Sequence, residues 1–130
     1  MSKIEKINIF YFFLIIFLFI SDQIIKFFAT KNTLPDWGGF LVNFCNPNLA
    51  WGIPINGFFF IIIWISIVFF IFYEITKHFN FSLLAVLVGA FSNIVDRLTR
   101  GCVIDYLNFP FFPVFNIADA MITIGLLLFL

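Results

Sequence analysis

Charge is what this chain has least of: seven Lys or Arg and seven Asp or Glu in 130 residues, 11% in all, for a formal net charge of zero. So little polar surface cannot cover a soluble domain. The basic residues are scattered, which argues against nucleic acid as a partner, because phosphate binding needs Lys and Arg clustered on one face. Histidine occurs once, at position 78. It falls in a hairpin at the end opposite the candidate acids, and the two cysteines lack ligand-like spacing, so no metal or other cofactor is expected. A Ser or Cys nucleophile would have to borrow that same remote imidazole as its base. There is no Gly-rich phosphate loop and no internal repeat. Cysteine occurs twice, at Cys45 and Cys102. A disulfide between them is allowed in an oxidising compartment but not implied, and two unpaired thiols are the expectation.

What is present is apolar. Hydrophobic residues make up 63% of the chain, 23 of them phenylalanine, and the mean hydropathy is +1.12. The fold class is therefore an integral membrane protein, mainly α, formed by a single domain over 1–130. Four apolar segments, 7–29, 55–73, 81–98 and 114–130, approach the roughly 20 residues that cross a bilayer and are read as transmembrane helices. Loops 30–54 and 99–113 separate them. Pro35, Pro47, Pro54, Gly38, Gly39 and Gly52 mark the first loop, which also holds a β-prone stretch from Phe40 to Phe44. Glu74, Lys77, His78 and Asn80 form a short polar hairpin between the second and third segments.

At about 1.5 Å per residue the last segment reaches roughly 25 Å, which puts Asp119 near one interface, inside the bundle. Lys3 and Lys6 before an apolar run imitate a secretory signal. No small-x-small cleavage pattern follows, and Asp22 and Lys26 sit where one should be, so a retained span is expected. Four spans put both termini on one side. Lys3, Lys6 and Lys77 outweigh Lys31 and Arg100 slightly, so the termini are expected in the cytoplasm and both loops outside.

In so apolar a chain each acid has to be paired, neutralised or kept for a task. Asp22 and Lys26 lie four apart with the acid N-terminal, the favourable order for a helical ion pair, and Gln23 can add hydrogen bonds. Asn93, Asp96 and Arg97 share one face of the third segment. They serve equally well as glue between helices or as a guanidinium ready for a substrate oxygen. Asn116 and Asp119 suit the N-cap and first turn of the last helix, and capping alone accounts for both. Asp105 is different: it lies in a loop, flanked by apolar residues, without a basic partner in helical reach, and burial there raises its pKa. If the chain folds back between positions 105 and 119, the two carboxyl groups meet and share one proton, as an aspartic protease requires.

Five blocks then occur in order: Ser21-Asp22-Gln23-Ile24-Ile25-Lys26, Asn46-Pro47-Asn48-Leu49-Ala50-Trp51-Gly52, Gly89 to Arg97 (Gly-Ala-Phe-Ser-Asn-Ile-Val-Asp-Arg), Gly101-Cys102-Val103-Ile104-Asp105, and Phe115-Asn116-Ile117-Ala118-Asp119. Over nearly its whole length the chain thereby resembles the signal peptidase II family, the four-span membrane aspartyl proteases of bacteria also called lipoprotein signal peptidases. The resemblance implies that Asp105 and Asp119 are the catalytic dyad. It implies that Asn46, Asn93, Arg97 and Asn116 line the substrate site, with Arg97 and Asn46 near substrate backbone oxygens, and that Asp22, Lys26 and Asp96 support the architecture. The implied substrate is a prolipoprotein, cut just before a cysteine that already carries diacylglycerol. The implied setting is the lipid of the bacterial cytoplasmic (inner) membrane, with the active site toward the extracytoplasmic face beneath a small β-containing cradle between the first two helices. Globomycin is the implied inhibitor, and a monomer is expected.

The second block departs from the family's Asn-Thr-Gly-Ala-Ala-Phe-Gly at Pro47, Asn48, Leu49 and Trp51, and Ser92 replaces a glycine that is typical before Asn93. The rival from another class is a small ion- or proton-coupled transporter using Asp22, Asp96, Asp105 and Asp119 as relay sites. Such sites should be spread through the membrane depth, whereas these gather toward one interface.

Overall fold

A computed structural model describes residues 2–48 and 57–130. Of the departures just named, Leu49 and Trp51 lie outside the described residues. The chain runs α1 (Lys3–Thr30), β1 (Leu41–Asn46), α2 (Gly57–Lys77), α3 (Phe81–Arg100), β2 (Val103–Leu107) and α4 (Ile117–Phe129). It is mainly helical with one small antiparallel sheet. Helix α1 starts at a capping box in which the Ser2 hydroxyl accepts from the Glu5 N–H and the Glu5 carboxylate accepts from the Ser2 N–H. Among the described residues α1 and α3 are long and apolar enough to cross a membrane. Large side chains such as Phe13, Phe17 and Phe69 point away from the protein interior, a distribution that lipid satisfies and water does not.

Helix α2 continues through Glu74 to Lys77, four residues beyond the expected end, so the α2–α3 hairpin shrinks to 78–80. Asn80 caps α3 by accepting from the Ser82 N–H. Helices α3 and α4 approach so closely that a Cβ on Gly89 would lie 2.6 Å from the Ala118 carbonyl oxygen, which only glycine permits. Gly101, at φ +79°, ends α3 in the left-handed conformation and turns the chain directly into β2.

The sheet corrects three expectations. The cradle was placed between the first two helices, but its strands come from both connections: β1 lies between α1 and α2, β2 between α3 and α4, with Phe44 opposite Asp105, Cys45 opposite Ile104 and Asn46 opposite Val103. Asp105 accordingly stands in a strand and not in a loop. The ladder also carries Cys45 to Cys102, Cα atoms 5.5 Å apart, and the two form a disulfide where unpaired thiols were expected. Strand pairing across 57 positions supplies the proximity, and sequence spacing gave no sign of it.

In the chain-entropy account a cross-link closing a loop of this size stabilises by up to about 4 kcal/mol. Replacing both cysteines by serine is expected to lower the denaturant midpoint in detergent accordingly. An unchanged midpoint would remove the cross-link from the stability argument.

Candidate active site

The site grows from the first turn of α4. Its N-cap, Asn116, is extended (φ −131°, ψ 174°) and accepts the Asp119 N–H at 2.8 Å, while the Asp119 carboxylate accepts the Asn116 N–H at 3.3 Å. This reciprocal capping box fixes both side chains, and the helix N-terminus favours the acid. Strand β2 then folds back on the segment that enters α4. The Tyr106 and Leu107 N–H groups donate to the Phe115 carbonyl, and the Phe115 N–H returns to Leu107. That pairing brings Asp105 to Asn116, whose Nδ2 donates to Asp105 Oδ1 at 2.8 Å. From β1, Asn46 Nδ2 donates to Asp105 Oδ2 at 3.0 Å. From α3, Asn93 Nδ2 donates to Asp119 Oδ1 at 2.8 Å. Asn116 Nδ2 also reaches Asn93 Oδ1 at 3.1 Å, so Asn116 and Asn93 link the two carboxyl groups, with Asn46 attached at Asp105.

Asp105 is 1% exposed. Burial and, after it, the charge of Asp119 push its pKa up to about 7, against the pull of the Asn46 bond, the Lys26 charge and the Asn116 bond. Arg97 points its Nη2 at the Asn48 carbonyl at 2.8 Å, and the Asn48 N–H donates to Asn46 Oδ1 at 2.9 Å, so the guanidinium is joined to the α1–α2 connection just after β1. An apolar cleft of about 250 Å³, lined by Phe112, Pro113, Phe115, Ala120 and Thr123, opens beside Asp119.

Behind the asparagines lies a buried ion cluster. Lys26 Nζ is 2.8 Å from Asp22 Oδ2 and 2.8 Å from Asp96 Oδ2, all three side chains being inaccessible, and Arg100 completes the charge balance at Asp96 Oδ1. The Asp22–Lys26 pair is the one expected from their spacing; its extension to Asp96 is not. The expected polar face of α3 divides three ways: Asn93 goes to Asp119, Asp96 to Lys26 and Arg100, and Arg97 to Asn48.

Three contributors escaped the sequence reading. Arg100 was signalled only by its spacing of four from Asp96. Ser92, noted only as standing where a glycine is typical, donates its hydroxyl to Asp22 Oδ2 at 2.6 Å and accepts from Gln23 Nε2 at 2.7 Å. Tyr106 donates its hydroxyl to Asp22 Oδ1 at 2.7 Å. Burial first, then the charge of Asp22, hold that phenol far above its usual range, so it stays a donor.

Comparison with known proteins gives three concordant findings. The model of a family described as signal peptidase (SPase) II matches residues 14–130. A lipoprotein signal peptidase from Caldanaerobacter subterraneus subsp. tengcongensis is 32% identical over 127 aligned residues, covering 86% of this chain and 87% of that protein. Two solved structures of bacterial membrane enzymes, determined by the in meso method at 2.3 Å and 1.9 Å, superpose with TM-scores of 0.77 and 0.74. Both are 28% identical to this chain and cover 92% of it, and 84% and 88% of their own lengths are matched.

Proposed function

The chain belongs to the signal peptidase II family, a family of membrane proteases, and from that premise we propose that it is an aspartic endopeptidase that removes signal peptides from diacylglyceryl-modified prolipoproteins. Cleavage falls just before the lipidated cysteine. Asp105 and Asp119 form the dyad, and the observation that carries this reading is that one asparagine, Asn116, binds both carboxyl groups.

Asp105, raised to about 7, is the partner that holds the shared proton up to about that pH and donates it toward the scissile carbonyl oxygen. Asp119, ionised, takes a proton from the attacking water. Neither step needs a metal. Asn46, Asn93 and Asn116 orient the carboxyls, and Arg97 with Asn46 meets substrate backbone oxygens. The apolar cleft beside Asp119 suits a substrate that arrives from lipid.

Helices α1 to α4 are the four spans of the proposed topology, with both termini in the cytoplasm and loops 30–54 and 99–113 outside the inner membrane. The Cys45–Cys102 disulfide supports this orientation, since such bonds persist on the oxidising side. Transport, the rival function, has no support from the family to which the chain belongs.

The test is cleavage in proteoliposomes by the purified chain, with a chelator present. A diacylglyceryl-modified prolipoprotein should be cut, its unmodified form should not, and globomycin should stop the reaction. A folded chain that cuts neither form overturns the reading.

The Asp105 shift also predicts a pH dependence with a definite sign. Between the ordinary carboxylate pKa and about 7 the folded chain holds a proton that the unfolded chain has lost, so stability falls as pH rises through that window. Above that window kcat/KM should decline about tenfold per pH unit, as the protonated member of the dyad disappears. A flat rate from pH 6 to 9 would count against a shared proton.

A further inference from the structure

We propose that Tyr106 is a positioning residue for the dyad: its hydroxyl ties strand β2, which carries Asp105, to the first turn of α4, which carries Asp119, and anchors both to Asp22 of α1. The proposal rests on the dyad assignment and adds what sets the relation between its two members. A helix N-terminus leaves its first N–H groups without intrahelical partners. In α4 each is met by a side chain from a different place. Ile117 N–H donates to the Tyr106 hydroxyl at 3.2 Å, Ala118 N–H to Asp22 Oδ1 at 3.3 Å, and Asp119 N–H to Asn116 Oδ1 at 2.8 Å.

Tyr106 thus accepts from α4 and donates to the same Asp22 oxygen that accepts from Ala118. The three groups close a small ring joining β2, α1 and α4. Asp22 is itself fixed through its other oxygen by Ser92 and Lys26. Tyr106 is fully buried, packed with Ala29, Cys102 and Ile104, so the ring has no water to substitute for it. Because successive strand side chains alternate, Tyr106 faces this ring while its neighbour Asp105 faces Asn46 and Asn116. One residue pair of β2 therefore fixes the helix with one side chain and presents a carboxyl with the next. Loss of the hydroxyl releases the start of α4, and with it the separation of the carboxyls, while the ring of Tyr106 keeps the core filled.

The experiment compares wild type with Tyr106→Phe in proteoliposomes and reads hydrogen exchange at the start of α4 in both. In wild type the Ile117 and Ala118 amides, first-turn donors that ordinarily exchange freely, should be protected. In Tyr106→Phe that protection should be lost. kcat should fall about 10- to 100-fold, the range a misplacement near 1 Å produces, with KM within about twofold. The upper limb of the pH profile should move to lower pH as the carboxyls separate. Unchanged exchange in the variant, free exchange in wild type, or a variant with wild-type kcat and pH limb overturns the proposal. If wild type cleaves nothing, the dyad assignment falls on its own, and the exchange result alone decides whether Tyr106 clamps α4.

Discussion

Asparagine at position 105 or at position 119 is expected to abolish cleavage while leaving the chain folded. The substitution is nearly isosteric and changes only the ability to hold or transfer a proton. Asn at 105 keeps an oxygen for one of its two amide donors, Asn46 or Asn116, and it removes the repulsion from Asp119 that contributes to the Asp105 shift. Asn at 119 keeps an oxygen for the Asn116 N–H and so preserves the capping box. Neither variant should unfold, and the Asp105 variant should lose the fall in stability between the ordinary carboxylate pKa and about 7. Catalysis is another matter: Asp105→Asn leaves no proton to give to the carbonyl oxygen, and Asp119→Asn leaves no base to take one from the water. A loss of about 10⁴-fold in kcat is the scale set by replacing an acid within a protease catalytic unit. Initial rates in proteoliposomes together with denaturant midpoints check both halves. Retention of more than a tenth of the wild-type rate in either variant, with a normal midpoint, would remove that aspartate from the chemistry.

How much of this was legible in the sequence follows from how far apart the interacting residues lie. The Asp22–Lys26 pair and the Asn116–Asp119 cap were readable because each is a local contact fixed by helical spacing, and the structure shows both. The strand read at Phe40 to Phe44 appears one to two residues later, at Leu41–Asn46, and only its partner was hidden. Val103–Leu107 is buried on both faces, so it lacks the alternation that marks a half-exposed strand, and after Gly101 it looked like loop. With β2 unseen, the disulfide was unseen too. Asp105 was singled out for the opposite reason: in a chain this poor in charge, an acid without a local partner asks for a distant one. Arg100, Ser92 and Tyr106 gave no such signal, because a residue with an ordinary place on its own element reveals nothing about contacts across the bundle.

The second large effect should come from Lys26. Among the described residues its ammonium is the only cation between Asp22 and Asp96, 2.8 Å from each and wholly inaccessible, while Arg100 meets only the far oxygen of Asp96. Lys26→Met keeps the length and apolar stem of the side chain and leaves two carboxylates facing each other in a dry interior. Removing one partner of a buried ion pair costs about 3–5 kcal/mol, because the remaining charge stays desolvated. Here two charges are exposed to that penalty, although the Ser92, Tyr106, Ala118 and Ile104 donors remain in place to offset part of it. Cleavage should fall as well, since Lys26 Nζ donates to Asn93 Oδ1 at 3.0 Å and so turns the Asn93 Nδ2 toward Asp119. Neutralising the acids together with the lysine, as Asp22→Asn, Lys26→Met and Asp96→Asn, removes the uncompensated charge and should recover most of the stability. It should not fully recover the rate, because Lys26 no longer helps Asn116 hold the Asn93 amide in the orientation that serves Asp119. Denaturant midpoints and initial rates on the single and triple variants separate the two roles. A triple variant as unstable as Lys26→Met would show that the cluster acts through packing rather than charge, and one with full activity would show that Asn93 needs no cation behind it.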